Sequence, residues 1–203
     1  MTVPSPQTHP SPRKVWLLGA ALVGLALLLS AAGVAIGSTG LDSLVALHAD
    51  PVAWQIVWDI RLPRTWGAWA AGALLGLAGA VAQGLFRNPL ADPFLLGSAS
   101  GATLGVAVAM ALFGMSPLAM LWLTRLGLTG AAFIGAVFAV LLTLQLARGV
   151  QHTLRLLLAG VIVGVVLGAV KDLVTLSSPD ILQALQGFAL GSVSFVSWSA
   201  CVL

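Results

Sequence analysis

The sequence predicts an all-α protein that crosses a lipid bilayer several times, and three observations support that prediction. Hydrophobic residues make up 59% of the 203-residue chain. Charged residues make up 7% of it, whereas an ordinary soluble domain carries about 25%. Several stretches run for 22 residues or more without a charge, and about 20 apolar residues in a helix span a bilayer. The composition therefore indicates an integral membrane protein and excludes a soluble globule, a disordered chain and a coiled coil.

The first predicted span follows a polar N-terminal tail. The tail, 1–14, begins with a run that carries four prolines and cannot bury enough apolar surface to fold, so we expect it to be disordered and cytoplasmic. Residues 15–36 carry no charge and follow Arg13 and Lys14, which predicts a membrane-spanning helix. A cleaved signal peptide has the same order of features, but its apolar core is about 7–15 residues long, so we favour a retained span.

The chain from 15 to 203 is predicted to form one partial transmembrane domain. Spans are expected near 15–36, 65–86, 97–115, 126–147 and 156–176, with the beginning of a sixth at 191–203. The charge-free stretch 94–124 is too long for one plain span, and Pro117 marks the expected break within it. Because the last segment has no closing polar flank, we expect the chain to be a truncated or partial form.

Charge in the loops predicts that the N-terminus is cytoplasmic. This orientation puts five basic residues inside and four outside, which is a weak bias; they are Arg13, Lys14, Arg87, Arg148 and Arg155 inside, and Arg61, Arg64, Arg125 and Lys171 outside. If Arg61 and Arg64 lie outside for a functional reason, they can be left out of the comparison, which then becomes five basic residues inside against two outside. Four tryptophans gather near the start of the second span, which suits an anchor at the membrane interface: Trp54, Trp58, Trp66 and Trp69.

Glycines spaced four residues apart are expected on three of the spans. Helices in lipid associate through close packing, and small residues at this spacing let two backbones approach. The glycines are Gly72 and Gly76 in the second span, Gly97, Gly101 and Gly105 in the third, and Gly160, Gly164 and Gly168 in the fifth. Tight bundle packing is the simpler interpretation, and smooth faces that slide or line a passage are the alternative.

The sequence contains no pattern typical of catalysis, of a metal site or of a bound cofactor. The motifs H-x-x-x-H, C-x-x-C and H-E-x-x-H are absent, and a P-loop is excluded because Lys14 and Lys171 are the only lysines. The basic residues form no stripe that would bind nucleic acid. Lys171 and Asp172 lie near one end of the fifth span, where snorkelling to the interface is expected and a charge lining a pathway is the alternative. We therefore expect a protein that is not an enzyme.

Two short segments are more specific than the composition. In 60–65, Pro63 is suited to the first turn of a helix and would hold Arg61 and Arg64 as a rigid pair at the outer interface. Lipid headgroups or Asp59 are alternative partners for that pair. In 83–102, two prolines each follow a cap-forming residue and predict a short, stiff cytoplasmic turn; these residues are Asn88, Pro89, Asp92 and Pro93.

Taken together, these segments resemble the FecCD-type permease family. The matching strings are R-L-P-R-T at 61–65, Q-G-L-F-R-N-P-L-A-D-P-F-L-L-G at 83–97 and R-L-L-L-A-G-V at 155–161, with a weaker match at Gly191, Ser192 and Trp198. Members of this family are the membrane subunits of ATP-binding-cassette importers for iron-siderophores, haem and cobalamin. The resemblance begins near Trp16 and implies the N-terminal half of a ten-helix importer permease in the bacterial inner membrane.

The resemblance also implies partners and roles. A full permease of this type works as a homodimer with cytoplasmic ABC ATPase subunits, and an extracytoplasmic binding protein delivers the substrate. Arg61 and Arg64 would dock that binding protein, and the glycine-bearing second and fifth spans would lie near the central pathway. The ATPase-contacting loop and the later spans have no counterpart in these residues, so we expect that they do not transport alone. A self-contained secondary transporter or channel is the alternative, and the cargo stays open among the three classes.

Overall fold

Every regular element in the part of the chain that the structure describes is helical. The computed structural model describes residues 11–36, 51–114, 122–148, 153–194 and 196–201. The elements are α1 (Pro12–Ala35), α2 (Pro51–Gln55), a π-helix (Ile56–Arg61), α3 (Leu62–Phe86), α4 (Ser98–Phe113), α5 (Trp122–Leu146), α6 (Thr153–Ser177), a 3₁₀ turn (Pro179–Ile181), α7 (Leu182–Leu190) and α8 (Trp198–Cys201). The predicted all-α fold is confirmed.

Four helical stretches among the described residues are long and apolar enough to cross a membrane. They are Arg13–Ala35, Pro51–Phe86, Gly127–Leu146 and Thr153–Ser177. Helix α4 has 16 residues, which at about 1.5 Å per residue is shorter than a bilayer core of about 30 Å. Many large apolar side chains on these helices are exposed, as expected for surfaces that face lipid.

The first two helices begin earlier than the sequence predicted. Helix α1 starts at Pro12, so Arg13 and Lys14 lie in its first turn and not in the tail; residues 1–10 of that tail lie outside the described residues. The second stretch begins at Pro51 and continues through the π-helix to Phe86. Pro63 therefore lies inside a long helical stretch, where we had expected the first turn of a helix.

The later predicted boundaries are displaced by a few residues. The third, fourth and fifth spans correspond to α4, α5 and α6, while the expected break at Pro117 lies outside the described residues. Residues 191–194 are not helical, and α8 covers Trp198–Cys201 within the segment where a sixth span was expected to begin.

The chain divides into two compact units. One consists of Met1–Ala68 with Val196–Leu203, and the other of Trp69–Phe195. In the second unit α4, α5 and α6 pack on one another. Val106 and Met110 of α4 form a buried cluster with Leu128 of α5 and Leu185 of α7. A second buried cluster joins α5 to α6 through Ala139, Val163 and Leu167.

Glycines bring the backbones of the second unit together. A β-carbon at Gly101 or Gly105 of α4 would collide with the carbonyl oxygen of Gly135 or Ala131 of α5. A β-carbon at Gly160 of α6 would collide with the carbonyl oxygen of Leu95, and one at Gly164 would make ordinary contact with Ser100. By contrast, a β-carbon at Gly72, Gly76 or Gly168 would meet open space among the described residues. The same spacing thus marks a helix contact at some positions and not at others.

Candidate functional site

The first unit holds both arginines of the R-L-P-R string, and Arg61 is the buried one. Its side chain is 7% exposed. Its Nη1 donates to the carbonyl oxygens of Val34 and Ala35, each at 3.0 Å. The last carbonyls of a helix have no helical donor, and a cation at that end also complements the helix dipole. Arg61 therefore caps the C-terminal end of α1.

Packing around this cap is close. A β-carbon at Gly33 of α1 would lie 3.1 Å from Oγ1 of Thr65, so a larger residue at Gly33 would press on the threonine. The Thr65 hydroxyl donates to the carbonyl oxygen of Arg61 at 2.9 Å. The end of α1 is thus packed against the helical segment that carries Arg61 and Thr65.

Arg64 has a different environment. It is half-buried, and its Nε is enclosed without a hydrogen-bond partner among the described residues. The sequence predicted a rigid pair of arginines at the outer interface, and a docking role for either one stays a prediction. The structure gives the two side chains different surroundings, because the Arg61 guanidinium is bonded to carbonyls of α1 that lie 26 and 27 residues earlier in the chain. Arg64 is the more accessible member of the pair.

A tryptophan cluster lies beside the arginines in the same unit. The Trp54 and Trp58 rings are stacked with centroids 6.1 Å apart and planes 8° apart. The Trp198 ring also packs on Trp58, with centroids 5.7 Å apart and planes 44° apart, and its Nε1 donates to the Trp58 carbonyl oxygen at 2.9 Å. Trp66 is also exposed. The sequence placed Trp54, Trp58 and Trp66 at this interface but did not indicate that Trp198 joins them. The weak family match at Trp198 was the one signal for it.

The second unit contains the predicted turn between α3 and α4. The Asn88 Oδ1 accepts from the N–H of Leu90 at 2.9 Å, and the Asp92 Oδ1 accepts from the N–H of Phe94 at 2.6 Å. Such side-chain bonds to the backbone two residues on are typical of Asx turns, and each precedes a proline here. Leu90 is 88% exposed. The stiff turn therefore holds a large apolar side chain on the surface of the chain.

The end of this turn is fixed between α5 and α6. Gly97 has φ of +79°, which favours glycine, and α4 begins at the next residue. The Thr143 hydroxyl, fully buried, donates to the Leu96 carbonyl oxygen at 2.9 Å. The backbone of Leu95 lies against Gly160 of α6. Two helices therefore hold the backbone that connects the turn to α4.

An open cavity of about 410 Å³ lies between the turn and α6. Glycines 97, 160 and 164 form part of its wall, and Asp92 and Ser100 are its polar residues. The described residues contain no group of three metal-ligating side chains. The cavity is mostly apolar, and Asp92 is the carboxylate in its lining.

Lys171 and Asp172 form an ion pair of 2.7 Å near the end of α6, with their side chains 30% and 72% exposed. Exposed pairs of this kind contribute little stability. Snorkelling of these two side chains to the membrane interface stays a prediction.

These features define an all-α transmembrane bundle with a polar, tryptophan-rich end on one unit and a stiff turn on the other. The sequence model of the FecCD transport family matches residues 17–203. The chain belongs to the FecCD transport family.

Three curated permease proteins are similar to the chain in sequence. The chain is 36% identical over 193 residues to the hemin transport system permease protein HmuU of Yersinia pestis, covering 92% of this chain and 56% of that protein. It is 38% identical over 181 residues to the ferric enterobactin transport system permease protein FepD of Escherichia coli K12, covering 85% and 53%. It is 43% identical over 143 residues to the vitamin B12 import system permease protein BtuC of Salmonella paratyphi A, covering 70% and 42%.

A solved structure has the same fold. It is described as an inward-facing conformation of an ABC transporter assigned to the metal-chelate type, with a TM-score of 0.75 and 27% sequence identity. The alignment covers 93% of this chain and 57% of that one. The chain thus spans about half the length of the relatives that it matches.

Proposed function

We propose that this chain forms part of the membrane permease of an ABC importer for haem, a ferric siderophore or cobalamin. The observation that carries the proposal is the family match over residues 17–203. The named relatives are permeases for hemin, ferric enterobactin and vitamin B12, and all three are large chelates or macrocycles. The proposed role is to provide a passage through the bilayer, and the energy comes from a separate ATPase.

The proposed partners follow from that role. Cytoplasmic ATPase subunits bind on the side of the N-terminus, and a second permease copy completes the passage. A substrate-binding protein docks on the opposite side, at the end of α3 that carries Arg64. Two observations support Arg64 as the docking charge: it is half-buried and so partly accessible, and Arg61 already bonds to α1. Charges at such a rim set orientation and association rate more than affinity.

Uptake by the complete transporter tests this function. The permease is produced with its ATPase and binding protein in a bacterial host that lacks its own permeases for the three cargo classes. Uptake of radiolabelled cobalamin, haem and a ferric siderophore is then compared, and a matched transporter with a hydrolysis-deficient ATPase serves as the control. We expect one class to accumulate, and only with the active ATPase. Accumulation that follows an ion gradient and ignores the ATPase would instead indicate a secondary transporter or channel.

A further inference from the structure

The carbonyl oxygen of Trp58 lies where the helix cannot supply a donor. In an α-helix this oxygen would accept from the N–H of the residue four positions later, Leu62. The π-helix directs the Leu62 N–H to Val57 instead, so the next backbone donor would be residue 63. That residue is proline and has no N–H. An α register would therefore give the Trp58 carbonyl the Leu62 N–H as its donor, whereas the observed π register leaves it without a donor from residue 62 or 63.

The indole of Trp198 supplies the missing donor. Its Nε1 lies 2.9 Å from the Trp58 oxygen. The rest of its segment runs along the same helix: a β-carbon at Gly67 would lie 2.6 Å from Cγ1 of Val196. The Sγ of Cys201 lies 3.3 Å from the carbonyl oxygen of Pro63. Residues 196–201 thus cover the point at which Pro63 interrupts the helical hydrogen bonds.

The register at this point decides how the two parts of the helix are turned. An α-helix advances about 100° per residue, so loss of the extra residue in the π-helix would rotate the preceding part by about that angle. Trp54 and Trp58 precede the end of the π-helix, and Arg64 follows it. The register therefore sets the direction of the tryptophan rings relative to Arg64.

We propose that Trp198 is a positioning residue whose indole N–H stabilises the π register before Pro63 and so fixes the face on which Arg64 is presented. The docking consequence rests on the proposed function, whereas control of the register is a property of the chain itself. Trp198 acts on Arg64 through the helix.

Hydrogen exchange tests the register in the full chain embedded in lipid nanodiscs. Trp198→Phe keeps an aromatic ring on Trp58 and removes the N–H. Because a typical intramolecular hydrogen bond contributes a modest net stabilisation, we expect amide exchange in 57–62 to accelerate about threefold to tenfold. Trp54→Phe is the matched control, since it changes the other ring on Trp58 and leaves the Trp198 bond in place. Unchanged exchange in Trp198→Phe overturns the proposal.

A rescue variant separates the hydrogen bond from general packing. Pro63→Ala gives residue 63 an N–H, which can donate to the Trp58 carbonyl. In that background Trp198→Phe should accelerate exchange much less than it does in the native chain. An equal acceleration in both backgrounds would show that Trp198 acts by packing alone and would overturn the proposal.

Association of the binding protein with the complete transporter separates this inference from the proposed function. We expect Trp198→Phe to slow association at low salt. If Arg64→Gln leaves association unchanged, the docking role of Arg64 is wrong, and the exchange result still decides the register. If Arg64→Gln slows association and Trp198→Phe does not, Trp198 does not position Arg64.

Discussion

The guanidinium of Arg61 donates to the carbonyl oxygen of Val34 at 3.0 Å, which joins α1 to the start of α3 across 27 residues of the chain. Arg61 is also bonded to Ala35, so one buried cation satisfies two carbonyls in the last turn of a helix. The same R-L-P-R string thus carries one arginine with a structural contact and one that is more accessible.

Removal of the Arg61 contact should destabilise the first unit. We expect Arg61→Gln to lower the free energy of unfolding by about 1–3 kcal/mol, because the two carbonyls of α1 lose a charged donor. Thermal unfolding in detergent measures the change. Arg64→Gln is the matched control and should shift the transition much less. Equal shifts for the two variants would contradict the assigned difference between the arginines.

The close contact between α4 and α5 predicts opposite results for two glycines. Gly101→Ala places a β-carbon against the Gly135 backbone, which should cost about 1–3 kcal/mol through overpacking. The β-carbon of Gly76→Ala meets open space among the described residues, so this variant should be neutral or stabilise the helix by up to about 1 kcal/mol. Thermal unfolding of the two variants provides the comparison. A Gly101→Ala protein as stable as the native chain would show that the two backbones are not in contact.

The Thr143 hydroxyl should contribute to the junction before α4. Thr143→Val keeps the shape of the side chain but leaves the Leu96 carbonyl without its donor, at an expected cost of about 0.5–2 kcal/mol. Thr103→Val is the control, because that hydroxyl bonds to carbonyls of its own helix at Ala99 and Ser100. Chemical or thermal unfolding measures both. The prediction fails if the two substitutions cost the same.

The Asx turn at Asp92 should depend on an acceptor oxygen and not on charge. Asp92→Asn retains an oxygen that can accept from the N–H of Phe94, whereas Asp92→Ala does not. Hydrogen exchange at Phe94 should therefore accelerate in Asp92→Ala and change little in Asp92→Asn. If neither variant changes exchange at Phe94, the hydrogen bond to Asp92 does not stabilise the turn. If Asp92→Asn accelerates exchange as much as Asp92→Ala does, the charge of Asp92 matters.

The apolar stretches were predictable from the sequence because a bilayer demands length and the absence of charge, two properties of local sequence. The long second helix was not predictable, because Pro63 suggested that a helix begins there. The π-helix that accommodates Pro63 depends on tertiary contacts. The acceptors of Arg61 lie 26 and 27 residues away, and no local pattern indicates them. Glycine spacing predicted that Gly101 and Gly105 pack against a helix. In the part of the chain that the structure describes, a β-carbon at Gly72 or Gly76 meets open space, because spacing does not specify which helix face has a neighbour.

The most direct test of the account is the rate at which the binding protein associates with the complete transporter carrying Arg64→Glu, measured at low and at high salt. Arg155→Glu is the control, because Arg155 is exposed and lies on the predicted cytoplasmic side. We expect Arg64→Glu to slow association at low salt and the difference from the native transporter to shrink as salt screens the charge. Native association rates for Arg64→Glu at low salt would contradict a docking role for this end of α3.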